Sequence, residues 1–288
     1  MKKRLFTHTF AAALLAGSLA AASPDLERAR ALYQHTDYAA ALGVLSPMAQ
    51  KDAEVRQMMG LCYYMQADYK KASEQFEKAV ALDPGNSDYH MWLARAQGRR
   101  AESASFVMAP VLAVKAREQF ERAVELNPRN LEAMSDLFEY YVEAPGFLGG
   151  GLDKAAALAA RIGALNPAEG HAAQARLAEK QKQYQAAEAQ LREAAALSPG
   201  QVGRLIDLAK FLAKTGRFEE SERTLREAET VAPTAPRLLF ERASIYIREG
   251  RNLEAARDLL RKYLQAPLTP DDPPRDEALR LLKTATAG

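Results

Sequence analysis

The sequence predicts an all-α solenoid of paired helices, closed by a C-terminal capping helix. Three observations predict it. Val55, Met59, Gly60 and Tyr63 recur at helical spacing, and so do Ala72, Phe76, Ala79 and Val80, with Gln66-Ala67-Asp68 between the blocks and Pro84 after the second. An alanine or serine then stands twelve residues before a proline six times: Ala72/Pro84, Ala116/Pro128, Ala155/Pro167, Ala187/Pro199, Ser221/Pro233 and Ala255/Pro267. The prolines lie 44, 39, 32, 34 and 34 residues apart, a period near 34, and no segment carries a strand signal.

In this frame each proline ends a second helix, which it cannot continue. Gly60 and Ala72 let two antiparallel helices approach, and Tyr63 and Phe76 fill the wedge beside them. Four residues after the small position stand Phe76, Phe120, Ala159, Leu191, Leu225 and Leu259. G-x-x-Y, A-x-x-x-F and P at this period resemble the tetratricopeptide repeat over nearly all of the chain after residue 22. The resemblance implies a right-handed superhelical solenoid of helix-turn-helix repeats, with first helices lining a concave groove for protein or peptide ligands.

Taken in order, residues 1–22 read as a cleavable signal peptide. Lys2-Lys3-Arg4 is its basic start, Phe10 to Ala22 an apolar run too short to span a bilayer comfortably, and Ala20-Ala21-Ala22 a cleavage site before Ser23. An uncleaved anchor is the alternative. The expected location is secreted, in the periplasm. Losing those three cations takes the formal charge from +2 to −1, so no basic field points to nucleic acid.

Ser23-Pro24-Asp25 can cap the first helix, and residues 23–52 form a degenerate repeat. Residues 53–86 are the most regular one. Residues 87–130 carry an insert at 98–114, expected as a long hairpin loop whose apolar tip folds back on its own repeat; the alternative is a protruding finger. Residues 131–167 carry a Gly-rich insert at 144–152. Both inserts fall between paired helices, so they share one edge. Regular repeats follow at 168–201, 202–235 and 236–269. Residues 270–288 supply a Pro-rich linker and a capping helix with Ala278, Leu281 and Leu282 on one face.

No catalytic chemistry is expected. Gly146-Phe-Leu-Gly-Gly-Gly151-Leu152 has a leucine where a P-loop needs lysine, and no strand precedes it. His8, His35, His90 and His171 are too scattered for metal, and no nucleophile motif occurs. Neither metal nor cofactor is expected. Cys62 cannot pair within the chain and reads as a buried, inert thiol rather than a reactive one.

The expected function is a non-catalytic scaffold or adaptor in the cell envelope, with a protein or peptide partner and no stable membrane insertion after signal cleavage. By the resemblance, the groove is lined by Met58, Leu61, Met65, Trp92, Arg95, Arg99, Glu139, Arg176 and Lys210. Trp92 reads either as core or insert packing, or as an exposed anchor. The insert edge offers Phe106, Met108, Phe147, Leu148, Gly149, Gly150, Gly151 and Lys154. Two alternatives use that edge: a small anionic ligand held by the glycine amides, or self-assembly through the apolar finger. The Lys/Asn clamp by which some family members hold a C-terminal carboxylate is unmatched at Gln57/Leu61, Met91/Arg95 and Ile206/Lys210.

Overall fold

The structure, a computed structural model, describes residues 23–49 and 52–287. The expected signal segment, with His8, lies outside the described residues. Among the described residues there are fifteen α-helices and no strand. They are α1 (Pro24–Gln34), α2 (Tyr38–Leu45), α3 (Ala53–Met65), α4 (Tyr69–Leu82), α5 (Ser87–Ser103), α6 (Met108–Leu126), α7 (Leu131–Glu143), α8 (Leu152–Leu165), α9 (Pro167–Lys180), α10 (Tyr184–Leu197), α11 (Val202–Lys214), α12 (Phe218–Val231), α13 (Pro236–Arg248), α14 (Leu253–Gln265) and α15 (Arg275–Ala287). The first fourteen pack as antiparallel pairs in a right-handed solenoid, and α15 covers α14 with Ala278 buried.

One turn recurs. After α1, α3, α9, α11 and α13, a residue takes the left-handed conformation: Thr36, Ala67, Lys182, Gly216 and Gly250. The next amide then donates back five residues, as from Asp68 to the Tyr63 carbonyl at 2.9 Å and from Arg217 to Leu212 at 2.8 Å. This Schellman closure satisfies the helix-end carbonyls and reverses the chain into the second helix. Asp37 and Asp68 then cap α2 and α4, while Asp52, Asn86 and Asn130 cap the first helices α3, α5 and α7.

Between α8 and α9 the linking turn is gone. Asn166 ends one helix and caps the next, and Pro167 opens α9 rather than closing α8. The crossing is so close that a Cβ on Gly170 would stand 2.3 Å from the Gly163 Cα. Gly60 serves a similar end, since a Cβ there would meet the Phe76 ring at 2.5 Å.

The expected register fails in the last pair. Ala255 is exposed, and Ala256, Leu260 and Tyr263 are buried instead. Asn252, left-handed at φ 46, adds one residue to the turn and moves the buried face along by one.

The insert at 98–114 is not a long loop. It is taken up by helix: α5 runs 17 residues and α6 runs 19, with only residues 104–107 between them. Ala, Arg, Glu, Leu and Met in the insert favour helix. Pro110 falls in the first turn of α6, where its missing N–H costs no bond. The tip does not fold back either, because Phe106 is 94% and Val107 75% exposed.

The two ends of the solenoid meet. Thr36, Tyr38, Met65 and Gln66 share a hollow of about 350 Å³ with Leu268, Asp272 and Arg275. The Pro-rich linker therefore runs past the turns of the first two repeats, held by the Tyr263 hydroxyl donating to the Pro273 carbonyl.

Candidate functional site

The first helices α7, α9, α11 and α13 build the concave face. They enclose a hollow of about 370 Å³ whose polar wall includes Glu139, Arg176, Arg204, Asp207, Lys210 and Arg248. Three of the residues expected in the groove, Glu139, Arg176 and Lys210, meet here.

Charges on this face pair across repeats. Arg95 on α5 reaches Asp136 at 2.5 Å and Glu132 at 2.8 Å on α7. Arg176 on α9 bridges Glu139 and Glu143 on α7, and Lys180 joins Glu143 at 2.9 Å. Arg204 and Lys214 on α11 hold Glu169 and Glu179 on α9. Lys210 on α11 holds Glu241 on α13 at 2.7 Å. Each partner lies about one repeat away in sequence, so the ladder ties first helices together on the inner side, where the curvature closes.

The ladder tunes its carboxylates. The hydrogen bond from Lys180, then the charge of Arg176, holds the Glu143 carboxyl below its usual range. Burial pushes Asp136 and Asp207 above theirs, although Arg95 and Arg204 stand beside them.

Of the other expected groove residues, Arg95 belongs to the ladder and the rest lie elsewhere. Met58 and Leu61 are half-buried against the N-terminal core, and Met65 packs there too while facing the hollow between the chain ends. Trp92 packs edge-on to Tyr64 at 5.4 Å and stacks on Phe76 at 6.1 Å, with the Arg95 guanidinium 4.5 Å over its ring. Its geometry is that of a packing residue. Arg99 donates to the Tyr69 hydroxyl and pairs with Glu102. Arg204, Asp207, Lys214, Glu169, Glu179 and Glu241 were not anticipated. For all but Asp207, which pairs with Arg204 on its own helix, the signal is opposite charge about one repeat apart on successive first helices.

On the insert edge, Phe147 is 83% exposed beside the compact Gly-rich loop. The amides of Gly149, Gly150 and Gly151 donate to the carbonyls of Gly146, Pro145 and Tyr141. Lys154 donates to the Gly149 carbonyl at 2.9 Å. The donors that an anion nest requires are thus spent inside the loop, which weighs against the anionic-ligand alternative. The loop sits between α7 and α6: the Leu148 carbonyl accepts from Tyr140 on α7 at 2.9 Å and from Arg117 on α6 at 3.4 Å. The Gly-rich insert thus lies against α6, the helix that the first insert lengthens.

Among the described residues no group of three or more His, Cys, Asp or Glu could hold a metal. His90 and His171 bond to Gln119 and Gln190, each at 2.6 Å. Cys62 is buried, and burial pushes its thiol up to about 12, far from thiolate reactivity at neutral pH.

Profiles of the tetratricopeptide repeat match residues 178–239 and residues 53–86. No curated protein matches the sequence. A tetratricopeptide repeat protein from Parabacteroides merdae ATCC 43184 is similar in structure, with a TM-score of 0.60 at 15% identity over 91% of this chain and 97% of its own. The Cut9–Hcn1 hetero-tetramer of the APC/C gives a TM-score of 0.50 at 14% identity, covering 89% of this chain and 48% of that one. These likenesses define a solenoid of αα-hairpins with a concave face. The repeats themselves name the class: the chain is a tetratricopeptide-repeat protein. Such repeats generally serve as non-catalytic scaffolds for protein partners.

Proposed function

We propose that this protein is a non-catalytic scaffold that binds a protein or peptide segment along its concave face, in the cell envelope. The carrying observation is the hollow on α7, α9 and α11, open to solvent and walled by paired charges one repeat apart. A segment of mixed charge can exchange ion pairs with that wall while its apolar side chains meet Phe138, Ala173 and Phe211 at the floor. The basic start, apolar run and Ala-rich site of residues 1–22 support export to the periplasm.

Site-specific photocrosslinking tests this. A photoreactive residue replaces Ala172 in the hollow, and a control replaces exposed Glu193 on α10. A discrete adduct from position 172 in native envelope, absent from 193 and weakened by Arg176→Glu, is the expected result. Equal labelling from both positions, or none from 172, overturns the groove reading.

A further inference from the structure

The exposed apolar tips on the insert edge have no role in the groove. Phe106 and Val107 project from the α5–α6 turn, and Phe147 projects from the neighbouring α7–α8 loop. Residues 103–114 and 144–152 contain no charged side chain. The turn is nonetheless ordered, since the Met108 and Ala109 amides both donate to the Ser105 carbonyl at 2.9 Å. A rigid convex apolar tip is unfavourable in water and calls for a cover.

The charges behind the tips indicate which cover fits. Lys70 and Lys115 are exposed and form no ion pair among the described residues. Arg100 donates only to the Ser73 hydroxyl, at 2.7 Å. Lys70 and Arg100 wall a hollow on the flank of the finger, with Met108, Leu112 and Asp68 in the same lining; the nearby acids are already paired, Asp68 with Lys71 at 2.8 Å and Glu102 with Arg99 at 2.7 Å. Lys115 lies eight residues beyond Val107 along α6, about 12 Å behind the tip at the helical rise. That is a little more than the roughly 5–10 Å by which interfacial apolar groups sink into the headgroup boundary, so Lys115 stays at the level of the headgroups.

We propose that this edge docks on an anionic bilayer surface, with Phe106 and Val107 entering the headgroup boundary and Lys70, Arg100 and Lys115 meeting lipid phosphates. A second copy is a poorer fit, because a two-fold contact through the tips sets the same cations against one another. Lipid phosphates neutralise them. The attachment is peripheral, and no described helix is long and apolar enough to cross a membrane. It would hold the solenoid by one edge and leave the groove accessible.

A tryptophan at the tip tests this in the full chain. Phe106→Trp adds a second indole to the packed Trp92, so its emission reports the tip locally. With vesicles containing about one third phosphatidylglycerol in phosphatidylcholine, the added emission is expected to shift blue and to be quenched by lipids brominated on the acyl chain, while wild-type emission does not change. Lys115→Glu in that background should weaken the apparent affinity about fivefold or more, and added salt should weaken it further. No shift with any vesicle overturns the proposal. An equal shift with phosphatidylcholine alone overturns the role of the cations. A blue shift that grows with protein concentration without lipid, together with dimer formation in sedimentation, overturns it in favour of self-assembly.

Discussion

Lys210 on α11 sits 2.7 Å from Glu241 on α13, whose side chain is only 9% exposed. The other cation at Glu241 is Arg237, at 3.7 Å. Removing Lys210 therefore strands a nearly buried carboxylate. Lys210→Met is expected to cost about 1–3 kcal/mol, the penalty for a charge left short of its partner. The double change Lys210→Met with Glu241→Gln should recover much of it. Urea unfolding midpoints of the four proteins give the coupling directly.

Glycines of one loop should differ sharply. A Cβ at Gly150 would stand 1.8 Å from the Ala144 carbonyl oxygen, whereas Gly146 has nothing within 4 Å. Gly150→Ala should cost about 2 kcal/mol or more, as the loop must shift against backbone. Gly146→Ala should stay within about 0.5 kcal/mol of wild type. Thermal unfolding compares them, and equal effects would refute the packed loop.

The recurrent turn predicts stabilising changes. Ala67 and Lys182 hold the left-handed position at φ 59 and φ 61 that Gly216 and Gly250 fill elsewhere. Replacing either by glycine relieves steric strain and gives back part of the gain as chain entropy. A net gain of about 0.5–1 kcal/mol each is expected from chemical denaturation.

Two carboxylates on the concave face should respond to pH with opposite sign. Glu143 is held below its unfolded value, so its contribution is present above the ordinary glutamate range and lost as pH falls through the folded value. The cost of Glu143→Gln should thus fade in acid, and it stays below about 1 kcal/mol because the pair is largely solvated. Asp207 is raised, so its proton favours the folded chain; that contribution is present in acid and lost as pH rises through the folded value. Asp207→Asn should therefore compare better with wild type at neutral pH than in acid. Melting temperatures across the acidic range separate the two slopes.

Closure of the solenoid can be checked covalently. Gln66 and Asp276 line the same hollow from opposite ends of the chain. Cysteines placed at both, beside the buried Cys62, should join within one chain under a short bismaleimide. Crosslinks only between molecules would show that the ends stand apart.

Much of this architecture was legible in residue order. Helical spacing around Gly60 and Phe76, repeated ahead of six prolines, is a local signal, and helix pairing in a repeat protein follows from local signals. Capping by Ser23 belongs to the same level, because a cap acts within one turn. What could not be read locally depended on geometry between turns. A single left-handed Asn252 moved the buried face of the last pair to Ala256. Helix propagation turned an expected long loop into two extended helices with Phe106 at the tip. The groove differed most from expectation. Side-chain identity marked Arg95, Glu139, Arg176 and Lys210 as charged first-helix residues, and the curvature of the folded solenoid made them members of one ladder. Periodicity specifies which face a residue occupies, but the distance between faces one repeat apart is set by packing, and an ion pair depends on that distance.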